Sequence, residues 1–260
     1  MHNFRKPLII LIAITFIMAA VASVVMLFSV KKVEAEFSVY GDSKALEIQR
    51  ELDAFKGRNI IFLNTDEMAG VCDAFPYYEV KSIKKEYPNV ISLRIEKREE
   101  AFKIVGADKI YVLDKDGIVL NDNGETEYPR KVLSVDIGNV FVIDGTVGGK
   151  IATSDDELFY SVLKTSRALN LSDSVEKAEI IKSEFGNFRD AVFKTYTGVE
   201  ITVLNVDDEG EDKIDAAFSY YETITDFKKV SGVINAYKVI NSESSYYGKI
   251  VAEWTGHTGD

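Results

Sequence analysis

Residue types able to do chemistry are scarce in this 260-residue chain and badly spaced for it. The two histidines are His2 and His257, at opposite ends, and the single cysteine is Cys72. Ser-His-Asp and Cys-His arrangements therefore lack a usable imidazole, and a zinc site lacks ligands. The segment Gly145-Thr-Val-Gly-Gly-Lys150 has a phosphate-loop flavour. It misses the required spacing, and Ile151 stands where a magnesium-binding hydroxyl is needed. Asp114-Lys115-Asp116-Gly117 lacks the further ligands of a calcium loop. Asp207-Asp208-Glu209-Gly210-Glu211-Asp212 reads as a solvated connection between a hairpin and a helix rather than a metal site. With 42 acidic residues a glycosidase-like carboxylate pair is conceivable, but no spacing singles one out. The expectation is a non-enzymatic protein with no metal and no cofactor.

Composition narrows the partners. Apolar residues make up 46% of the chain, enough for an ordinary core in one or two domains. Residues 31–260 hold 29 Lys plus Arg against 42 Asp plus Glu. Such a surface repels phosphate backbones and argues against nucleic acid. One cysteine makes no intramolecular disulfide.

The run from Pro7 to Val30 is 24 residues without a charge, interrupted by Thr15, Ser23 and Ser29. At about 1.5 Å per helical residue it spans roughly 36 Å and predicts a transmembrane helix lodged in a lipid bilayer. A cleaved signal peptide is the competing reading, since Val33-Glu34-Ala35 ends in a small residue. Its apolar core is ordinarily about 7–15 residues, which favours an uncleaved anchor. Arg5 and Lys6 before the run and Lys31 and Lys32 after it leave only a slight preference for a cytoplasmic N-terminus, with residues 1–6 as a short cytoplasmic tail.

After the anchor the pattern predicts a strand at 33–40 and a helix from Ser43 to Phe55 with Ala45, Leu46, Ile48, Leu52 and Phe55 on one face. A second helix, capped at Asn64, runs to about Ala74 with Met68, Val71, Cys72 and Phe75 facing the core. Strands follow at 78–85 and in YPNVISLRIEKREEAF (87–102), where Ile91, Leu93 and Ile95 alternate with Ser92, Arg94 and Glu96. The charges Glu96 to Glu100 mark a wet junction or docking surface at the end of this module. Beyond it come a hairpin around Asp114–Gly117, a helix opened by Ser154–Glu157, strands near 176–182, 190–196 and 199–206, a helix near 211–229, and strands at 233–240 and 246–254. The predicted class is α+β: a small strand-helix-helix-strand-strand module, then a mainly antiparallel sheet with two helices on one face.

These residues carry a resemblance. GRNIIFLN (57–64), Phe75-Pro76-Tyr77 with Val80 and Ile83, Tyr87-Pro88 with the Leu93–Arg98 run, IYVLDKDGIV (110–119), and Tyr246-Tyr247-Gly248 through Trp254 occur in this order behind one apolar segment. In that order they resemble the FtsQ/DivIB family of bacterial division proteins over roughly residues 7–254. Glu100 and Phe102 replace the Pro and Ala frequent in the family, and Phe141-Val142-Ile143-Asp144-Gly145 is a reduced form of the step before the second domain's first helix. The resemblance implies a POTRA domain at 33–104, a β domain at 105–255 and a flexible tail at 256–260, anchored outside the plasma membrane by one helix. It implies a non-catalytic divisome scaffold at the septum that recruits FtsB (DivIC) and FtsL and influences septal peptidoglycan synthesis. The alternatives are a membrane-anchored POTRA protein of secretion or envelope assembly, or an extracytoplasmic enzyme.

A terminal strand at a sheet edge offers unpaired N–H and C=O groups to a partner's strand. The expected partner-binding residues are Tyr237, Val239, Tyr246, Tyr247, Lys249, Val251 and Trp254, with the aromatic ones as anchors.

Overall fold

The computed structural model describes residues 5–256 except 40, 107, 137, 139 and 227; the side chains of 5–10, 130 and 172 are not among those described. The chain forms two compact units, residues 1–98 and 99–260. The division at Arg98/Glu99 lies ahead of the expected 104/105 boundary, because the strand Glu100–Val105 hydrogen-bonds into the second unit's sheet. Of the expected tail, 257–260 lie outside the described residues, as do residues 1–4 of the expected cytoplasmic segment.

In the first unit, helix α1 spans Arg5–Leu27. The structure does not bear out the expected transmembrane helix over 7–30. The last three residues of the apolar run leave the helix, and Val30 is buried in the unit's core with Phe28 packed against it. Backbone bonds hold them there: Val30 N–H donates to Arg58 O, Gly57 N–H to Val30 O and Ile60 N–H to Phe28 O, each at 2.8 Å. Among the described residues no helix is long and apolar enough to cross a membrane.

Strand β1 (Lys32–Phe37), helix α2 (Ser43–Asp53), helix α3 (Thr65–Ala69), strand β2 (Tyr78–Glu86) and strand β3 (Val90–Lys97) follow. Asp42 caps α2 by accepting Lys44 N–H, and Asn64 caps α3 by accepting Asp66 N–H. The second predicted helix is only five residues long and tightens into a 3₁₀ turn at Gly70–Ala74, where Gly70 is a poor helix former. The sheet order is β1-β3-β2, with β1 parallel and β2 antiparallel to β3. Ile48, Leu52, Ile60, Met68, Ile91 and Ile95 close a core of their own.

The second unit contains strands β4 (Glu100–Val105), β5 (Ile110–Asp114), β6 (Val119–Asn121), β7 (Leu133–Asp136), β8 (Val142–Asp144) and β9 (Ala152–Thr153), then helix α4 (Asp156–Ala168). Strands β10 (Val175–Lys182), β11 (Arg189–Thr195) and β12 (Val199–Val203) precede helix α5 (Gly210–Thr223), and β13 (Gly232–Lys238) and β14 (Ile250–Thr255) end it. Nine strands make one sheet in the order β14-β13-β12-β11-β10-β7-β4-β5-β6, and β8 and β9 pair separately. The sheet is mixed: five of its eight pairings are antiparallel, as β10 with β11 and β13 with β14, but β4 with β7, β7 with β10 and β12 with β13 run parallel. Each parallel pair encloses an intervening crossover, α5 in the case of β12 and β13, because a tight hairpin joins only antiparallel strands.

The faces of α4 and α5 explain the core. Leu158, Phe159, Val162 and Leu163 are buried along α4, and Ile214, Ala217, Phe218 and Tyr221 along α5. Phe193 of β11 meets Phe218 edge-to-face at 5.3 Å between ring centroids. Two cations fix α5 over the last strands. The buried Lys213 Nζ donates to Leu204 O (3.2 Å) and Asn205 O (2.8 Å), and burial pushes its pKa down. Lys238 of β13 pairs with Glu209 at 2.7 Å, just before the helix starts.

Candidate partner-binding edge

Strand β14 ends the nine-stranded sheet on one side and β6 on the other. It pairs antiparallel with β13 from Val233 opposite Thr255 to Lys238 opposite Ile250. The hairpin closes through Gly248, at φ 75°, whose N–H donates to Val239 O at 2.8 Å while Val239 N–H donates to Lys249 O at 2.9 Å. This glycine bulge sets the phase of the whole pair. In an antiparallel ladder, hydrogen-bonded and non-bonded pairs alternate. Counting from Val239 and Lys249, the residues Val251, Glu253 and Thr255 face β13 with their backbone groups. Ile250, Ala252 and Trp254 turn their N–H and C=O groups to the open edge. The neighbouring strand agrees: Ala236, opposite Ala252, gives its carbonyl to Leu204 N–H on the other side.

Side-chain parity divides the expected residues into three places. Tyr237, Val239, Lys249 and Val251 share the face opposite the buried Ile234 and Ala236. Tyr237 hydroxyl donates to Glu253 at 3.0 Å on the same face, and that bond raises the pKa of the tyrosine. Trp254 lies on the inner face, half-buried against the core with Ala252. Its ring stacks beneath Lys228 Nζ, 4.7 Å from the centroid, and leaves no room for a side chain at Gly232. Tyr246 and Tyr247 are not in the strand, which was expected to begin at 246. They sit in the turn before Gly248, 58% and 60% exposed, with Lys249 Nζ 5.5 Å from the Tyr246 ring. The turn forms because Asn241 and Ser244 side chains accept the N–H groups of Glu243 and Tyr246.

Sequence reasoning missed Ile250 and Ala252, whose contribution is backbone, and Glu253, the partner of Tyr237. Parity counted from a strand end would find them, but only once the bulge at Gly248 fixes the phase.

The sequence motifs weighed for chemistry have structural roles. Asp114 Oδ1 accepts the N–H groups of Asp116 (2.8 Å) and Ile118 (2.9 Å) and braces its hairpin. Lys150 lies over the Tyr160 ring at 4.2 Å. Arg189 joins Asp155, the cap of α4, to Asp207. Among the described residues no group of three or more His, Cys, Asp and Glu side chains is placed to hold a metal ion.

No family model matches the chain. The chain is similar to the cell division protein DivIB of Clostridium acetobutylicum, with 28% identity over 100 residues, 38% of this chain and 36% of the relative. The match thus spans little more than a third of either protein.

Proposed function

We propose that this chain is a non-enzymatic scaffold of bacterial cell division that captures an extended segment of a partner on the open edge of β14. In this reading the partner is of the FtsB/DivIC type, an FtsL-type protein joins the same assembly, and the complex supports peptidoglycan synthesis at the septum. The first unit serves as a POTRA module and the second as the β domain. Similarity to a DivIB protein supports the assignment to division. The observation that carries the binding mode is the outward set of backbone groups on Ile250, Ala252 and Trp254, next to the exposed Tyr246 and Tyr247.

The test uses the edge itself. Ala252→Pro removes one outward N–H and leaves the bonds between β13 and β14 in place, since proline is tolerated on an edge facing solvent. The variant should lose capture of a DivIC-type partner by at least about tenfold, equivalent to about 1.4 kcal/mol, with an unchanged circular dichroism spectrum. Wild-type capture by Ala252→Pro would rule out strand addition at β14.

A further inference from the structure

The second unit has a buried hydroxyl left without a hydrogen bond among the described residues. Ser166, near the end of α4, is 2% exposed, and among the described residues its Oγ has no hydrogen-bond partner. The adjacent Thr165 shows what a helix ordinarily does with such a group, its hydroxyl donating back to Ser161 O at 2.9 Å. Buried polar atoms without partners are rare, and each calls for a reason.

Ser166 lines a cleft of about 450 Å³ whose apolar wall is Ala101 and Phe102 of β4 and Leu133 of β7. Charges of both signs surround it but are engaged to different degrees. Glu100 accepts Glu127 N–H at 2.8 Å, and Asp173 accepts the Asn170 amide at 2.5 Å. Arg167 donates to Lys115 O at 3.2 Å and Asp116 Oδ1 at 3.3 Å. The ammonium groups of Lys115 and Lys131, which also line the cleft, make no hydrogen bond or ion pair among the described residues. The spare capacity is therefore hydroxyl at the buried end and cationic at the mouth, beside an apolar wall.

We infer that this cleft binds a carboxylate carried on a short apolar body. Ser166 Oγ donates to the carboxylate, Lys131 and Lys115 neutralise it, and Phe102 and Leu133 cover the apolar part. A phosphate dianion fits less well, because Glu99, Glu100 and Asp173 line the same cleft and repel a second charge more strongly. The carboxylate is either that of a small free acid or the C-terminus of a peptide.

Calorimetric titration of the full chain tests this with four probes: N-acetyl-leucine, N-acetyl-leucinamide, and Gly-Gly-Gly-Leu with a free or an amidated C-terminus. The free acids should bind and the amides should not. Tighter binding of the free peptide than of N-acetyl-leucine identifies a chain terminus as the ligand, and the reverse order a small acid. Lys131→Ala should weaken binding about tenfold, the scale of one charge-assisted hydrogen bond. Ser166→Ala should weaken it about threefold to tenfold without lowering the unfolding midpoint, since the hydroxyl has no bond to lose in the unliganded chain. Equal binding of acid and amide, wild-type affinity in both variants, or no heat at about 10 mM of any probe would overturn the inference.

Discussion

Cys72 and Arg189 show how single side chains are set by what surrounds them. Cys72 is buried in the first unit's core, and desolvation pushes its thiol up to about 11, with Asp73 adding to the rise. At pH 8 only about one thiol in a thousand is ionised. Thiol-specific labelling should accordingly be slow in the native chain and fast once denaturant opens the first unit; rapid native labelling would contradict this. Asp155 behaves oppositely. Burial raises its pKa, but the Leu158 N–H and the Arg189 ion pair outweigh burial and leave the carboxyl below its ordinary 3.8. A depressed carboxyl contributes stability above its unfolded pKa and loses it as pH falls through the folded value. Arg189→Ala should therefore be less stable than wild type at pH 7, and the gap should narrow as pH drops below about 3.8, as read by urea unfolding. A gap independent of pH would show that packing, not charge, carries the Arg189 contribution.

At the scale of elements, the terminal hairpin separates binding from stability. Val251 faces β13 with its backbone groups and Ala252 faces the open edge, so adjacent prolines should have unequal effects. Val251→Pro removes a ladder bond and should destabilise the second unit by about 1–3 kcal/mol, the cost of leaving its partner carbonyl unsatisfied, whereas Ala252→Pro should leave its melting point within a few degrees of wild type. Equal destabilisation would mean that the phase set by Gly248 has been assigned wrongly. Helices α2, α4 and α5 were legible in the sequence because their apolar residues recur at helical spacing, in α2 and α4 behind the capping residues Asp42 and Asp155. Their ends were less so. The last helix stops at Thr223 rather than near 229, since Ile224 is already extended at ψ 152°. The last strand starts at Ile250 because side-chain turns at Asn241 and Ser244 take the preceding residues.

For the whole molecule, the two units have separate cores, one around Ile48, Leu52 and Ile95 and the other around Phe159, Phe193 and Ile234. Ile95→Ala should cost about 2–5 kcal/mol and lower only the first of two calorimetric transitions, a shift of both pointing to one cooperative unit instead. The sequence by itself determined the helical segments α2, α4 and α5 and apolar faces such as Ile91, Leu93 and Ile95, because those patterns arise from residues a few positions apart. Tertiary structure decided that Phe28 and Val30 belong to a core rather than to the end of a long helix, that β4 belongs to the second sheet, and that this sheet is mixed. It also decided that β14 is an edge strand and that its outward groups are those of Ile250, Ala252 and Trp254. Such outcomes depend on pairing between segments distant in the chain, as Val30 with Arg58 or β12 with β13, and local periodicity holds no record of which distant strand a given strand will meet.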